Sequence, residues 1–350
     1  MFATNENNDN ASDPSQPAPP AVTTMLGMIA GFWVSRAVWA AAELGLADRL
    51  PAPRTADELA GELGLHGRSL YRMMRALASV GVFREHADGR FENTPLSDTL
   101  RTGAPDSVRA LARSELGPSH YPAWGEILYS LQTGRPSFDK VFGEPVFAWF
   151  EKNPQRAEVF NESMGELTRT VEPAVLEAYD FSDCGTIVDV GGGFGGLLTA
   201  ILRRHAGVRG VVFDAASVVE RAGPRLAEAG LADRCTTAAG DFFQSVPPGG
   251  DTYLMKHIIH DWNDEQCVTI LRHCHAAMKP GSRVLIIDQV LPGPNEPSLG
   301  KFSDLIMLQL PGGMERTADE FKALLAAAGF EFRRIVPTQS PVSVIEGVRR

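Results

Sequence analysis

The pattern of hydrophobic and polar positions changes twice along the chain and divides it into segments. Residues 1–20 are polar and rich in Asn, Ala, Ser and Pro. Such a composition cannot bury enough apolar surface to offset chain entropy, so we expect a disordered tail. From Met25 to Leu50, apolar residues cover more than one face of a helix. A helix that is apolar nearly all round must be buried on several sides, and we expect a second subunit to cover part of it.

Residues 21–100 have the pattern of an α-rich winged-helix domain that begins with this first helix. A capping-box spacing opens a helix at Thr55, Gly64 marks a turn, and a second helix is expected from Arg68 to Gly81. The Asp-Gly pair at residues 88–89 then predicts a hairpin. Two helices followed by a hairpin are typical of a winged helix.

The charge of this segment argues against DNA as its partner. The second helix carries Arg68, Arg72 and Arg75, which a DNA-reading helix could use. The window from Thr55 to Pro95, however, holds five Arg, no Lys and six acidic residues, so it lacks the basic surface that phosphate contacts require. The whole chain has a net charge of −10. We therefore predict a dimerisation module and no nucleic-acid partner.

The texture of the chain changes again near residue 179. Residues 101–178 are predicted to be a helical linker whose many aromatic side chains lie mostly in the core and in part along a substrate pocket. From residue 179 to residue 350, short β-branched runs alternate with helical segments. The strands are predicted at Thr186–Val190, Gly210–Asp214, Thr252–Lys256 and Val284–Asp288, and the helices near Leu197–His205, Val218–Ala229 and Glu265–Met278. This alternation predicts an α/β domain with a parallel sheet covered on both faces.

Composition favours a soluble, cytoplasmic protein. The 350 residues suffice for about two domains, and 44% hydrophobic content is ordinary for a globular chain. The four cysteines lack the two-residue spacing of metal ribbons and redox pairs, so we expect reduced thiols. No basic residue precedes Arg36, and the apolar run from Met25 to Val34 is shorter than the ~20 residues that span a bilayer. We therefore expect neither a signal peptide nor a membrane partner.

A glycine-rich loop follows the first strand of the α/β domain. Residues 189–196 read DVGGGFGG and open a helix. Glycines there let the backbone approach a ligand closely and expose amide donors at the helix start. Gly191, Gly193 and Gly196 also match the spacing of a dinucleotide fingerprint. The loop alone therefore leaves both a nicotinamide cofactor and S-adenosylmethionine (SAM) open.

Acidic residues at the ends of the next strands add to this signal. Asp214 closes the second strand, where a carboxylate can accept hydrogen bonds from ribose hydroxyls. Asp241 and Phe242 close the next strand-like stretch, and an acid beside an aromatic ring suits an adenine. Each residue alone is more often a cap or a core position, but together behind a glycine loop they predict a nucleotide-type site.

At the fourth strand, residues 256–262 read KHIIHDW, and a family resemblance becomes apparent. The chain from about Met25 to Val348 resembles the dimeric, metal-independent small-molecule O-methyltransferases, which include plant caffeic acid and chalcone enzymes and bacterial polyketide and phenazine tailoring enzymes. The shared motifs are VDVGGG (188–193), GDFF (240–243), HDW (260–262) and GGMERT (312–317). The resemblance implies a Rossmann-like SAM-dependent methyltransferase domain over residues 179–350, behind a winged-helix dimerisation domain.

The resemblance also implies roles for individual residues. It implies methyl transfer from SAM to a hydroxyl, expected to be phenolic, on a small aromatic secondary metabolite, with His260 as the base and Asp288 and Glu315 steadying it. The residues implied in cofactor binding are Gly191, Gly193, Asp214, Asp241, Phe242 and Lys256, with Trp262 near the adenine, and those implied in lining the acceptor site are Phe160, Met164 and Met307.

Two positions depart from the family pattern. The family often has Glu where this chain has Asp288, which is a shorter arm. It commonly has Asn just before the paired glycines, where this chain has Leu310 and Pro311. A different polarity of the acceptor is expected to follow.

Three other hypotheses compete with the methyltransferase. A nicotinamide-dependent dehydrogenase would account for the glycine loop and Asp214, but it leaves residues 260–262 and Asp241 without a role. A winged-helix regulator with a small-molecule sensing domain is the non-enzymatic alternative. A zinc site could draw on His257, His260, Cys267, His273, Cys274 and His275. Because the last three are consecutive and point around a helix, we predict no metal.

Overall fold

The computed structural model describes residues 20–350, so the predicted tail lies outside the described residues apart from Pro20. The chain forms two compact units that meet at Tyr121 and Pro122 in the sequence. The predicted boundaries after residues 100 and 178 stay predictions, and the structure divides residues 101–178 between its two units.

The N-terminal unit holds the predicted winged helix. Its elements are helices α1 (Ala21–Leu44), α2 (Ala56–Leu63), α3 (Gly67–Ala78), α4 (Pro95–Asp98) and α5 (Arg109–Glu115), and strands β1 (Arg54–Thr55), β2 (Phe83–Glu85) and β3 (Arg90–Asn93). The Thr55 side chain accepts the Glu58 amide, and the Glu58 carboxylate accepts the Thr55 amide at 2.8 Å, so the predicted capping box is present. Gly64 ends α2 in the left-handed conformation. The strands form an antiparallel sheet in the order β1-β3-β2.

Helix α1 ends six residues before the predicted Leu50. Gly45 adopts a left-handed conformation with φ 59° and its amide caps the last turn, so the helix stops at Leu44. Near that end, Ala41 and Ala42 are buried in the core of the unit. The exposed large apolar side chains of the helix are Val22, Met25, Leu26, Met28, Ile29, Phe32 and Trp33.

The length of α1 corrects the argument from its apolar run. We compared only Met25–Val34 with a bilayer, but the helix continues through Arg36 to 24 residues and is long and apolar enough to cross a membrane by length and composition. The same exposed face suits a protein partner equally well, because contiguous apolar surface marks interaction sites of either kind.

The C-terminal unit is built on one twisted sheet. Its helices are α6 (Tyr121–Gly125, which begins at the boundary), α7 (Ile127–Thr133), α8 (Ser137–Phe142), α9 (Val146–Lys152), α10 (Pro154–Ala178), α11 (Gly196–Arg204), α12 (Ala216–Glu228), α13 (Asp264–Ala277), α14 (Gly300–Gln309) and α15 (Ala318–Ala327). Its strands are β4 (Thr186–Val190), β5 (Arg209–Asp214), β6 (Cys235–Ala239), β7 (Thr252–Lys256), β8 (Arg283–Leu291), β9 (Arg316–Thr317), β10 (Phe330–Pro337) and β11 (Val342–Arg349).

The sheet is parallel over five strands and antiparallel at one edge. The strand order is β10-β11-β8-β7-β4-β5-β6, and short β9 pairs with β8. Strands β8, β7, β4, β5 and β6 run parallel, as predicted, whereas β11 is antiparallel to β8 and β10 is antiparallel to β11. The prediction of a parallel sheet is therefore confirmed for these five strands, whereas the antiparallel edge formed by β10 and β11 was not predicted. No helix separates β10 from β11, so the two can pair only as a hairpin.

Two apolar cores cover the faces of this sheet. Alternate residues of β4 point to opposite sides, so Ile187 lies in one core and Val188 and Val190 lie in the other. Helices α10, α11 and α12 contribute to the first core, and α13 and α15 contribute to the second. With both faces covered, the carboxyl ends of the parallel strands are left to carry polar side chains.

All four cysteines are buried and free. Burial raises the pKa of the Cys184 thiol to about 11, and it raises the pKa of the thiols of Cys235, Cys267 and Cys274 to about 12. These thiols are therefore protonated at neutral pH and act as small apolar core residues.

Candidate active site

The glycine loop leaves β4 with three glycines in the left-handed region. Gly191, Gly193 and Gly195 have φ of 69°, 57° and 75°. A Cβ on Gly191 would lie 2.4 Å from the Ile258 side chain, and one on Gly195 would lie 2.9 Å from Val212. A Cβ on Gly193 would meet nothing within 4 Å. The outer two glycines are thus required by packing, whereas Gly193 has open space beside it where a ligand can approach.

Asp214 ends β5 and faces this loop. Its Oδ2 accepts the Gly193 amide at 2.8 Å and its Oδ1 accepts the Ala215 amide at 2.7 Å. Each carboxylate oxygen can accept a second hydrogen bond, so ribose hydroxyls can still bind there. Burial raises the pKa of Asp214, against the effect of these two hydrogen bonds. The carboxylate therefore shapes the loop as well as offering a ligand contact.

An aromatic cluster lies beyond β6. Asp241 follows the strand by two residues rather than closing it, and its Oδ1 accepts the Phe243 amide at 2.8 Å. The Trp262 ring packs edge-on against Phe243 at 4.7 Å and against Phe242 at 5.9 Å. Trp262 Nε1 is buried with no hydrogen-bond partner in the described part of the chain. An acid, aromatic rings and an unpartnered N–H suit a flat heterocycle such as adenine.

Lys256 and Asp189 lie close enough to influence each other's charge at the ends of the neighbouring strands β7 and β4. Burial raises the pKa of Asp189, and the nearby positive charge of Lys256 opposes this. Burial likewise lowers the pKa of Lys256, and Asp189, Asp288 and Asp261 oppose that shift. Lys256 thus connects the glycine-loop side of the site with the acidic side near His260.

His260 lies in a 3₁₀ turn after β7 and is held by Glu315. Its Nδ1 lies 3.0 Å from Oε1 of Glu315, whose side chain is fully buried. The same oxygen accepts the Ser303 hydroxyl at 2.7 Å and the Gln289 amide at 3.2 Å. Because a carboxylate only accepts, Nδ1 carries the proton and donates it to this hydrogen bond. In the neutral imidazole Nε2 is then left with its lone pair, 3.6 Å from Oδ1 of Asp261.

The turn around His260 touches the turn around Glu315. The His260 carbonyl accepts the Met314 amide at 2.9 Å, and the Glu315 amide donates to Oδ1 of Asp304 at 2.9 Å. A Cβ on Gly313 would lie 2.1 Å from the His260 carbonyl oxygen. Glycine is thus the residue that allows these two backbones to meet.

Arg316 is 1% exposed and forms hydrogen bonds to both the turn around His260 and the turn around Glu315. Its guanidinium donates to the carbonyls of Ile259 at 3.1 Å, Trp262 at 2.9 Å and Met314 at 3.2 Å. It also donates twice to Oδ1 of Asp264, at 2.8 and 3.0 Å. A single side chain therefore fixes the backbone on both sides of His260 and immediately before Glu315.

Asp288 acts on His260 through charge rather than through a hydrogen bond. It is 0% exposed, and neither of its oxygens has a partner within residues 20–350. Burial raises its pKa to about 7. Burial lowers the pKa of His260, but Asp288, Asp261 and Glu315 outweigh this effect and leave it raised. The shorter Asp side chain thus leaves Glu315 as the hydrogen-bonded partner of the imidazole.

The residues expected to line the acceptor site are half-buried. Phe160 on α10 stacks on Phe150 with ring centroids 4.8 Å apart, within a cluster that includes Ile306. Met307 follows Ile306 on α14, and Met164 lies one turn after Phe160 on α10. The part of these residues in acceptor binding stays a prediction.

The histidines and cysteines considered for zinc have other contacts. Cys267 donates to the Ile259 carbonyl, and Nδ1 of His273 lies 2.9 Å from the Phe242 carbonyl. Within residues 20–350, no group of three or more His, Cys, Asp or Glu side chains could hold a metal ion.

Several residues of the site were missed by sequence analysis. Ser303 and Gln289 fix Glu315, and Arg316 fixes both turns, although only Arg316 lies in a motif that we singled out. Asp261 faces His260 from the next position in the chain, and Asp189 lies inside the glycine-loop motif. Their positions inside the motifs at residues 260–262 and 188–193 were the signal that could have found Asp261 and Asp189.

Comparison with known proteins matches both units. Residues 124–331 match the model of an O-methyltransferase domain, and residues 26–103 match that of an O-methyltransferase dimerisation domain. The chain is 46% identical to a phenazine O-methyltransferase, PhzM, of Lysobacter antibioticus over 92% of this chain and 94% of the relative. It is 40% identical to a mitomycin biosynthesis 6-O-methyltransferase of Streptomyces lavendulae, over 94% and 95%.

Solved structures agree and identify the cofactor. The crystal structure of LaPhzM superposes with a TM-score of 0.92 at 45% identity, covering 95% of this chain and 100% of that one. The methyltransferase CalO1, at 34% identity and TM-score 0.80 over 96% of this chain and 100% of its own, contains S-adenosylhomocysteine (SAH). The residues described above fit SAM, because they supply strand-end carboxylates for its hydroxyls, space beside Gly193 and aromatic rings for its adenine.

Neither the dehydrogenase nor the regulator hypothesis finds support in these comparisons, because residues 124–331, which include the glycine loop, match an O-methyltransferase domain. The α/β domain is of the Rossmann-like methyltransferase type, and an N-terminal dimerisation domain precedes it. The chain therefore belongs to the SAM-dependent O-methyltransferase family.

Proposed function

We propose that this enzyme methylates a phenolic hydroxyl of a small aromatic secondary metabolite and that His260 is its general base. One observation carries the proposal: the Nδ1 proton of His260 is held by Glu315 at 3.0 Å, so the Nε2 lone pair is free to take a proton. A buried imidazole oriented by a carboxylate is the usual arrangement of a general base.

The pKa values of the phenol and of His260 make this proton transfer feasible. A phenol with a pKa of about 10 and an ordinary histidine near 6.5 differ by roughly 3.5 units, or about 5 kcal/mol for full proton transfer. The carboxylates around His260 raise its pKa and so reduce this difference. When bound, SAM supplies an electrophilic methyl group on a positively charged sulfur. As Nε2 takes the phenolic proton, Asp288 and Glu315 stabilise the imidazolium.

The remaining residues serve binding in this proposal. Gly191, Gly193, Asp214 and Lys256 contact the cofactor on the glycine-loop side, and Asp241, Phe242 and Trp262 hold its adenine. Phe160, Met164 and Met307 offer apolar surface to the acceptor. The phenazine and mitomycin specificities of the named relatives support an aromatic acceptor.

The proposal includes a homodimer in the cytoplasm. The dimerisation-domain match covers most of α1, whose exposed apolar face needs a partner. The biosynthetic roles named for the relatives support a cytoplasmic location.

Labelled methyl transfer to phenolic acceptors tests the function directly. We expect His260→Ala to lower turnover by roughly 10² to 10⁴, the usual range for a positioned general base, while SAH still binds as measured by calorimetry. The matched control is His275→Ala on α13, where the half-buried histidine packs edge-on against Phe330, and it should keep full turnover. Identification of the methylated atom by NMR must show an ether oxygen. Full activity of His260→Ala would reject the base, and loss of wild-type activity in chelator would revive a metal mechanism.

A further inference from the structure

A second histidine lies beside His260 in an unfavourable backbone conformation. His257 follows the last residue of β7 and has φ 55°; within residues 20–350 it shares positive φ with only one other non-glycine residue, Asn295. Its amide donates to the Ile287 carbonyl at 3.1 Å, which fixes the backbone there. Left-handed backbone in a residue with a Cβ is strained, and such strain persists mainly where the side chain has a use.

The His257 ring has an unused polar atom. Its Nε2 is inaccessible to solvent and has no hydrogen-bond partner in the described structure. The ring centroid lies 5.2 Å from that of His260, and the two rings are inclined by 58°. A polar atom left without a partner at a buried position is costly unless a ligand satisfies it.

The chemistry of this ring limits what it can bind. Burial lowers the pKa of His257 well below its ordinary value, and the charges of Lys256 and His260 lower it further. The imidazole is therefore neutral at working pH and offers one N–H donor and one lone pair. A neutral ring of this kind suits a hydroxyl, amine or carbonyl group and gains nothing from a carboxylate's charge.

We propose that His257 is a specificity-determining residue that hydrogen-bonds a second polar group of the acceptor, next to the hydroxyl that is methylated. The inference rests on the proposed function, because the reacting oxygen must come to Nε2 of His260. A ring 5.2 Å away then lies within reach of the neighbouring substituent. The acceptor class is thus an aromatic ring with a hydroxyl beside a hydroxyl, amine or carbonyl.

Binding of two matched probes to the SAH complex tests this class. The probes are 2,3-dihydroxynaphthalene, which has the adjacent pair, and 2-naphthol, which lacks it, and calorimetry gives both dissociation constants. We expect the wild type to prefer the diol by about three- to tenfold, the size of one neutral hydrogen bond. His257→Phe keeps the ring shape without nitrogen and should bind both probes equally. His275→Phe should keep the wild-type preference.

A second variant separates binding from folding. His257→Asn suits the left-handed conformation, because Asn adopts it more readily than other residues with a Cβ, so its melting temperature should equal or exceed that of the wild type. Its shorter amide should also lose the diol preference. A lowered melting temperature with an unchanged preference would show that His257 is structural and would overturn the inference.

The outcomes also distinguish this inference from the proposed function. If both His257 variants keep the preference while His260→Ala abolishes turnover, the specificity role is wrong and the base stands. If His260→Ala keeps full turnover, the general-base part of the proposed function fails. Wild-type enzyme that binds neither probe, or binds both equally, would reject the assigned acceptor class.

Discussion

The backbone of Gly313 packs against the backbone of His260. A Cβ on the glycine would lie only 2.1 Å from the carbonyl oxygen of the histidine. The same carbonyl accepts the next amide in the chain, that of Met314. Two segments more than fifty residues apart therefore behave as one rigid piece at this point. Glu315 follows directly, which places its carboxylate against the imidazole.

The pH dependence of the rate should reveal the charge environment of His260. The base works only when Nε2 is unprotonated, and the surrounding carboxylates raise its pKa, so kcat/KM should rise with pH through a midpoint above 6.5. Glu315→Gln removes one of these carboxylates and should move the midpoint to lower pH. Turnover should fall by less than the roughly 10²-fold expected at minimum for His260→Ala. A midpoint that stays in place in this variant would belong to the acceptor phenol instead.

Replacement of Asp288 should trade activity for stability. Burial raises its pKa from an ordinary 3.8 to about 7 in the folded protein. A raised carboxyl pKa favours folding at low pH, and this contribution is lost as pH rises from about 4 through about 7. Asp288→Asn does not titrate, so its free energy of unfolding should exceed that of the wild type by on the order of 1–4 kcal/mol at pH 8 and by little at pH 4.

Thermal unfolding of both proteins across this pH range measures the difference. Turnover of Asp288→Asn should fall, because His260 loses a charge that stabilises its protonated form. An equal stability difference at both ends of the range would mean that Asp288 is ionised throughout.

Arg316 should control turnover without touching substrate. Arg316→Met leaves three carbonyls and the exposed Asp264 carboxylate without donors, and we expect a loss of about 1–3 kcal/mol in stability for each carbonyl that stays buried and unsatisfied, together with lower kcat. Arg316→Lys should recover part of both, since one ammonium can meet some of these acceptors. Asp264→Asn is the control: that side chain is 70% exposed, and the three carbonyl contacts survive its loss. Steady-state kinetics and calorimetric unfolding measure these effects. A kcat of Arg316→Met equal to that of the wild type would contradict the positioning role.

Asp214 should contribute to cofactor affinity in two ways. Asp214→Ala removes the acceptor for ribose hydroxyls and also the partner of the Gly193 amide, so SAH affinity should fall by about 10- to 100-fold while the fold persists. Gly193→Val should abolish binding, because a β-branched residue strains a φ of 57° and fills the open space. Gly207→Ala, which also meets open space, is the control. Calorimetry that shows unchanged affinity in Asp214→Ala would remove it from the cofactor site.

The exposed face of α1 should bury itself in a dimer. Light scattering is expected to give twice the 37.8 kDa chain mass at micromolar concentration. Trp33→Glu places a charge in that face and should yield monomers, whereas Leu96→Glu, at an exposed leucine elsewhere in the same unit, should not. Co-sedimentation of wild-type protein with lipid vesicles, or a stable wild-type monomer, would contradict the dimer.

The sequence predicted the strands whose formation depends mainly on the residues within the strand itself. The limits of β4 and β7 were predicted to the residue, because both are short, buried, β-branched or apolar runs with clear ends. Strands β10 and β11 were missed because neither has a regular alternation of buried and exposed positions, and because they take their partners from one another and from β8. Such pairing depends on contacts far along the chain.

In the candidate active site, too, short motifs identified some residues, whereas others depend on contacts between distant segments. Motifs named His260 and Glu315 through family resemblance, whereas their contact spans 55 residues and follows from the tertiary structure. Ser303 and Gln289 donate to Glu315 from α14 and β8, and no short pattern in the sequence distinguishes them from ordinary polar residues. The sequence suggested His257 only as a possible zinc ligand, because a positive φ at one residue leaves no pattern in the sequence.

The four protonated, buried thiols make the native chain nearly inert toward maleimide reagents at neutral pH, since only an accessible thiolate reacts quickly. One cysteine introduced in place of Leu96, which is exposed and lies outside α1, would then be the single fast-reacting site. A dye attached there would report subunit exchange by energy transfer between differently labelled molecules, with no need to replace any native cysteine first.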